Sequence, residues 1–227
     1  MRLYMVFAEA GIELVPPVIS SHPSVRSWAV KRGKPPSETL LDISYHYAAI
    51  RKLKDWVKRG RPDIVHMCLL LALGSPLNRK RFLEIYVHTY DNKIIYVNPK
   101  TNLPRNYMRF IGLMEQLLIE GAVPPRAHEK LLFVEKGGLE TLIDRVRPDS
   151  VILLSEKGTR LRLTDFSDKI KSCERPMLII GAFQRGEFRR ENLNLADNVV
   201  SLYDEVLDAW TITSMVLRGV EISLGLI

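Results

Sequence analysis

The stretch Met177-Leu178-Ile179-Ile180-Gly181-Ala182-Phe183-Gln184-Arg185-Gly186 decides how this chain folds. Its four apolar residues predict a buried strand, and two glycines bracket the loop that follows. Glycine permits close backbone approach and positive φ angles, so this loop suits either a main-chain ligand site or a tight turn. The spacing G-x-x-x-x-G lacks the Lys-Ser or Lys-Thr of a P-loop, and it is not the dinucleotide motif G-x-G-x-x-G.

Apolar strands and helical segments alternate outward from this stretch. The sequence predicts strands at 2–8, 82–90, 93–98, 131–134 and 151–154, and helices at 41–58, 62–73, 104–118 and 138–146. An amphipathic segment from Ser201 to Val220 predicts a terminal helix. Residues 16–40, rich in Pro and Ser, predict a long inserted loop. The alternation predicts one α/β domain over 1–227 with a mostly parallel sheet covered on both faces.

Composition restricts the class of protein. The 227 residues are 46% hydrophobic and 26% charged, which is typical of a soluble globular domain. No apolar run reaches membrane-span length without a charge. The two cysteines form no C-x-x-C pair, and no His, Asp and Glu cluster has metal-ligand spacing. We therefore expect a cytoplasmic protein without a metal or a disulfide.

Positive charge is concentrated in three parts of the chain. The formal net charge is +7, and the sequence pI is about 9.4. Basic residues cluster at 51–61, 78–81 and 100–109. Such patterning favours a polyanion such as RNA or DNA, although a solvated basic surface gives the same pattern. Residues 79–109, which include a predicted hairpin, are the candidate RNA-binding region.

Two constellations are candidates for recognition. In Arg61-Pro62-Asp63, Asp63 either stabilises the positive end of a helix or holds the Arg61 guanidinium in one orientation. Arg105 and Arg109 are four residues apart, so on a helix they would share one face and could contact neighbouring phosphates. His66 lies in an apolar helix, which is typical of a core histidine.

Four blocks together resemble one family over nearly the whole chain. They are Leu41-Asp42 through His46, RPDIVHMCLLLALGSPLN at 61–78, VNPKTNLPRNYMRFIGLMEQLL at 97–118, and LIIGAFQRGEF at 178–188. The sequence resembles the essential ribosome biogenesis methyltransferases of the small subunit, the pseudouridine-N1-specific members of the SPOUT class. The compact length resembles an archaeal member.

This resemblance implies an α/β knot with a C-terminal trefoil knot, an S-adenosylmethionine cofactor and a homodimer. The terminal helix would then present Leu202, Val206, Ala209, Trp210, Thr213 and Val216 on one side. The implied RNA-contacting residues are Arg61, Asn102, Arg105 and Arg109, with Asp63 orienting Arg61 rather than acting as a catalytic base. Asn102 stands where some relatives carry arginine. The implied cofactor-binding residues are Leu154, Gly181, Gly186, Ser201, Leu202, Tyr203, Asp204, Glu205 and Val206.

The implied reaction is methylation of N1 of a pseudouridine in small-subunit ribosomal RNA. Ribosomal proteins or assembly factors of the small subunit are further candidate partners. Two alternatives remain. The first is a non-catalytic RNA-binding assembly factor of the small subunit, and the second is a methyltransferase of the same class that acts on tRNA. The two intact glycines favour an enzyme over the first alternative, and the R-P-D-x-x-H block argues against the second.

Overall fold

The computed structural model describes residues 1–227, and its centre is an eight-stranded sheet. The strand order is β4-β5-β3-β2-β1-β7-β6-β8. The strands are β1 (Leu3–Ala10), β2 (Leu83–Thr89), β3 (Lys93–Val97), β4 (Ala122–Val123), β5 (Leu132–Lys136), β6 (Ser150–Arg160), β7 (Pro176–Gly181) and β8 (Asn198–Ser201). The strands β2, β1, β7, β6 and β8 pair in parallel, while β3, β5 and β4 extend the sheet antiparallel. The predicted α/β class with a mostly parallel sheet is confirmed.

Helices cover both faces of this sheet. They are α1 (Pro23–Arg32), α2 (Ile43–Ile50), α3 (Pro62–Gly74), α4 (Pro76–Arg79), α5 (Tyr107–Glu120), α6 (Leu139–Val146), α7 (Leu163–Ser172), α8 (Arg190–Leu193) and α9 (Ala209–Ser223). Alternate residues of β1 enter opposite cores, because successive side chains of a strand point to opposite faces. Leu3, Met5 and Phe7 pack with α3, α5, α7 and α9, whereas Tyr4, Val6 and Ala8 pack with α6. The threading of a C-terminal knot stays a prediction.

Two predicted boundaries in the first quarter of the chain are wrong. Residues 16–40 are not one long loop, because Pro23 at the first helical turn and Gly33 in the left-handed conformation delimit α1. The helix predicted over 41–58 ends at Ile50. Asp55 then has a φ of 52°, and a single 3-10 turn covers Trp56–Lys58. Side-chain periodicity predicted the apolar face but not this break in the backbone.

Two further boundaries affect the candidate site. The helix predicted from Pro104 begins at Tyr107, because the Asn106 side chain accepts a hydrogen bond from the Arg109 amide (3.1 Å) and caps it. Arg105 therefore precedes α5, and the prediction that Arg105 and Arg109 share one helix face is wrong. The terminal helix begins at Ala209, so Leu202 and Val206 lie in β8's following loop rather than on a helix.

Strand β6 is interrupted where it passes β8. Leu154 and Thr159 both pair with Val200, so residues 155–158 leave the ladder between them. Gly158 lies so close to β8 that a Cβ atom there would sit 2.5 Å from the Val200 nitrogen. The excursion was not predicted from sequence, because its side chains are polar and lack a period.

We predict that Gly158→Ala destabilises the protein by about 3 kcal/mol, since the added methyl overlaps backbone that cannot move aside. Chemical denaturation measures the free energy of unfolding. Gly138→Ala is the matched control, because a Cβ atom at Gly138 would meet nothing within 4 Å. Equal stabilities of the two variants would contradict the close crossing of β6 and β8.

Candidate functional site

A cleft of about 460 Å³ opens at the carboxyl edge of the parallel strands. Its walls are the excursion after Leu154, the loop after β7 and the loop after β8. Parallel strands all end at one edge, so three loops that are distant in sequence meet there. The cleft is large enough for a cofactor-sized ligand, and more than half of its lining residues are hydrophobic.

The structure brings together nearly all the predicted cofactor-binding residues. The cleft lining includes Leu154, Gly181, Gly186, Ser201, Leu202, Tyr203, Glu205 and Val206. Asp204 is not among the lining residues: its carboxylate is exposed and accepts a hydrogen bond from Arg160 Nε (2.9 Å). A charged side chain between two cleft residues points outward because the loop turns at this position. The role of each lining residue stays a prediction.

The two glycines of the 181–186 loop serve different purposes. A Cβ atom at Gly181 would sit 2.9 Å from the Phe183 ring, so Gly181 makes room for an aromatic side chain. Gly186 has a φ of 102°, a conformation that side chains with a Cβ atom rarely adopt. The sequence left open a ligand site or a tight turn, and the loop is both a turn and a wall of the cleft.

Arg61 lies in the cleft wall at the start of α3. Its Nε and a terminal nitrogen donate to the two oxygens of Asp63 at 2.8 and 2.7 Å. This bidentate contact raises the pKa of the Arg61 guanidinium. The Asp63 carboxylate accepts no hydrogen bond from the helix backbone, because its two side-chain bonds are both from Arg61. Of the two interpretations that the sequence left open, the geometry favours orientation of Arg61, although Asp63 also lies in the first turn.

Arg105 and Arg109 lie outside the cleft, Arg105 just before α5 and Arg109 in its first turn. Both side chains are exposed and neither forms an ion pair. Asn102, in the segment before α5, is exposed as well. The buried His66 of α3 contacts the Pro104 carbonyl through Nε2 (2.7 Å) and stacks on Phe110. The segment is thereby fixed to the helix that begins beside Arg61, and His66 is a core residue as predicted.

The basic cluster at 51–61 is less available to a polyanion than its sequence suggests. Lys58 is buried and pairs with Glu9 (2.6 Å). The Arg59 Nε donates to Glu13 (2.8 Å), another buried carboxylate. Desolvation raises the pKa of Glu13 even though Arg59 opposes the shift. Half of the six basic residues are thus neutralised within the protein, counting Arg61 with Asp63.

Sequence reasoning missed several residues of the cleft and its border. Glu156 and Asp208 line the cleft but belong to no motif, and Phe183 lines it from within the glycine-bracketed loop without having been predicted to. Tyr107 donates to the Asp42 carboxylate (2.5 Å), and burial is the main cause of its raised pKa. Asp42 and Tyr107 stand in two of the quoted blocks, but their spacing of 65 residues gives no signal of contact.

An apolar groove lies behind the cleft, between α3 and α9. It is lined by Met67, Leu70, Leu71, Leu163, Trp210, Thr211, Ser214, Met215 and Arg218. Met67 and Leu71 are unusually exposed for large apolar residues, at 41% and 38%. Thr213 and Val216, which the sequence predicted on the interface side of the terminal helix, are instead fully buried within the chain. Trp210 lines both the groove and the cleft.

Two candidate features are absent. No group of three or more His, Cys, Asp or Glu side chains is placed to hold a metal ion. No helix is long and apolar enough to cross a membrane.

The fold and the cleft fit an α/β enzyme with a cofactor-sized site at the carboxyl edge of its sheet, and the family match gives its class as methyltransferase. The EMG1/NEP1 methyltransferase family model matches residues 5–221. The chain belongs to this family.

Individual relatives cover nearly the full length of both chains. The chain is 46% identical to "Ribosomal RNA small subunit methyltransferase Nep1" of Thermococcus kodakarensis, over 99% of this chain and 100% of that protein. It is 44% identical to the Pyrococcus furiosus protein of the same name, over 97% and 96% of the two chains. The crystal structure of Archaeoglobus fulgidus Nep1 bound to S-adenosylhomocysteine matches with a TM-score of 0.88 and 42% identity, covering 99% of this chain and 100% of that chain.

Proposed function

We propose that this protein methylates N1 of a pseudouridine in small-subunit ribosomal RNA, with S-adenosylmethionine as the methyl donor. The observation that carries the proposal is the position of Arg61, which lies in the wall of the cleft at the start of α3, the helix whose His66 holds the carbonyl just before the exposed Arg105. A cofactor site and a phosphate-binding surface then adjoin each other. The names of the relatives support ribosomal RNA as the substrate, and S-adenosylhomocysteine in the Archaeoglobus protein supports the cofactor.

The cleft suits S-adenosylmethionine in size and chemistry. No backbone-to-backbone hydrogen bond involves residues 183–188, so their main-chain groups are free to meet a ligand. Apolar side chains such as Leu154, Leu202 and Trp210 suit the adenine ring. Glu156 and Glu205 supply negative charge in the lining, which suits a sulfonium. The bound cofactor would supply an electrophilic methyl group.

The chain's own residues act chiefly by positioning. Arg61, held by Asp63, fixes a phosphate or base at the mouth of the cleft. Methyl transfer requires the N1 atom in line with the methyl group, so a base must leave its stack to enter the cleft. Unpairing costs least in a loop, so the substrate is a hairpin nucleotide. Asp63 is a poor general base for so weak an acid, and both its oxygens already accept from Arg61.

The homodimer also belongs to this proposal. The groove between α3 and α9 is an exposed apolar surface, and the same surface of a second copy, related by a two-fold axis, would cover it. Because Trp210 lines both groove and cleft, dimer formation would complete the wall of the cofactor site. Cytoplasmic placement and contacts with ribosomal proteins or assembly factors follow as expectations from the RNA substrate.

The direct test of the reaction is mass spectrometry of small-subunit RNA after incubation with the protein and methyl-labelled S-adenosylmethionine. We expect the label on N1 of one pseudouridine. RNA binding without any label would favour a non-catalytic assembly factor. Label on another base, or on tRNA alone, would contradict the proposed substrate.

We predict that Gly186→Val abolishes cofactor binding, because a β-branched residue cannot hold the φ of 102° that shapes the loop. Calorimetric titration with S-adenosylhomocysteine measures the affinity. Gly33→Val is the control: Gly33 also has a positive φ, 62°, but a Cβ atom there would meet nothing within 4 Å. We expect both variants to lose stability, but only Gly186→Val to lose affinity for S-adenosylhomocysteine. Native affinity in a folded Gly186→Val protein would remove this loop from the site.

We predict that Arg61→Ala, Arg105→Ala and Arg109→Ala each weaken RNA binding by about 1–3 kcal/mol and reduce its salt dependence. Fluorescence anisotropy with a labelled hairpin RNA, titrated at several salt concentrations, measures both. Arg2→Ala is the control, because Arg2 precedes β1 at the opposite edge of the sheet.

Native RNA affinity in all three arginine variants would refute this RNA surface. The Asp63→Asn variant tests the role of Asp63. If Asp63 orients Arg61, the RNA affinity of this variant should lie between that of the native protein and that of Arg61→Ala. Native RNA binding with lost turnover would instead make Asp63 the proton acceptor.

We predict that Leu71→Glu converts a dimer into a 26.0 kDa monomer, since it places a charge in the apolar groove. Sedimentation at micromolar concentration reports the mass. The control Val18→Glu changes a more exposed valine, 76% accessible and outside the groove, and should stay dimeric. A monomeric native protein would contradict the proposed interface.

A further inference from the structure

One buried carboxylate beside the cleft, Glu9, connects several distant parts of the chain. Glu9 lies near the carboxyl end of β1 and is completely buried. Its φ is 53°, in the left-handed region that residues with a Cβ atom seldom adopt. Such a conformation persists where the surroundings hold it in place, and it recurs at functional sites.

Glu9 accepts three hydrogen bonds from distant parts of the chain. Lys58 Nζ donates to Oε2 at 2.6 Å, while the Arg189 amide and the Asn192 side chain donate to Oε1 at 2.7 and 2.8 Å. Its own amide donates to His88 Nδ1 at 3.3 Å. A buried charge needs such donors, and these come from the segment before α3 and from the chain after β7, while β2 holds the Glu9 backbone.

The loop that forms one wall of the cleft has few other attachments. Between the Ala182 amide, which bonds to Ala8, and Arg189, no backbone group bonds to another backbone group. Lys58 Nζ also donates to the Glu187 carbonyl and lies 4.5 Å from the centre of the Phe183 ring. The main chain of residues 183–189 is therefore held by Glu9 and by the lysine that Glu9 orients. The remaining polar contacts are made by side chains: Lys157 pairs with the Glu187 carboxylate, and the Arg189 guanidinium donates to the Tyr90 carbonyl at 2.8 Å.

The same lysine stands three residues before Arg61. A Cβ atom at Gly11 would sit 2.8 Å from the Arg61 nitrogen, so the chain after β1 packs directly on the 58–61 segment. Any shift of Lys58 would move both the cofactor-side loop and the arginine in the cleft wall.

We propose that Glu9 is a positioning residue for methyl transfer: through Lys58, Arg189 and Asn192 it holds the 183–189 loop in the conformation that binds the cofactor. The inference rests on the proposed function for the identity of that cofactor. Glu9 does not line the cleft and touches no reacting atom, so it acts through the loop. Removal of the Glu9 carboxylate should therefore loosen the 183–189 loop while the sheet remains folded.

The experiment compares Glu9→Gln with Glu13→Gln. Both glutamates are buried and pair with neighbouring basic residues, Glu9 at the end of β1 and Glu13 just after it, but only Glu9 contacts the 183–189 loop. Trypsin cleavage at the exposed Arg185, followed by peptide mass without cofactor, reports loop opening. Calorimetry with S-adenosylhomocysteine, well below the melting temperature, reports binding.

We expect Glu9→Gln to raise the cleavage rate at Arg185 and to weaken binding by about tenfold each, the scale of one lost hydrogen bond to a charge. Glu13→Gln should leave the cleavage rate and the affinity within about twofold of native, even if its melting temperature falls as far as that of Glu9→Gln. Equal effects in the two variants, or native cleavage in folded Glu9→Gln, would overturn the proposal. A native protein that binds no S-adenosylhomocysteine refutes the proposed function instead, and the cleavage comparison still decides the role of Glu9.

If Glu9→Gln does not fold, Asn192→Ala replaces it, because that change removes one donor and leaves the ion pair intact. We expect cleavage at Arg185 to rise by about threefold, since only a neutral donor is lost. An unchanged cleavage rate in Asn192→Ala would overturn the proposal as well.

Discussion

Five parallel strands end at one edge of the sheet, and this constraint places every part of the site. β7 lies between β1 and β6, so the loop after β7 meets both the excursion in β6 and the chain after β1. The cleft forms from these meeting loops rather than from any one motif. A shift of one residue in the pairing of β7 would turn its core side chains to the other face and would separate the loops.

Several of the basic residues next to the cleft are paired with buried carboxylates. Glu9 and Glu13 sit under Lys58 and Arg59, so two of the basic residues in the 51–61 cluster serve the protein's own structure. Arg61 is paired too, but its partner Asp63 leaves the guanidinium at the cleft wall. A net charge of +7 therefore overstates the free positive charge on the surface near α3, whereas Arg105 and Arg109, at the start of α5, are exposed and unpaired.

The sequence predicted what depends on periodicity and composition. The buried strands, the apolar face of α5 and the two-sided core follow from residue spacing, and the glycine-bracketed loop is where the cleft lies. The sequence did not predict features that depend on helix capping or on contacts between residues far apart in the chain. Asn106 rather than Pro104 starts α5, and Glu9 gives no local signal because its partners stand 49 to 183 residues away.

The central claim is that the cleft and the Arg61 surface form one site. A crystal structure of the protein with S-adenosylhomocysteine and a small-subunit hairpin RNA tests it most directly. The account predicts the cofactor product between the loops after β6, β7 and β8, with an unstacked base beside its sulfur and a phosphate or base on Arg61. A cofactor outside this cleft, or RNA bound to a surface that excludes Arg61, would contradict it.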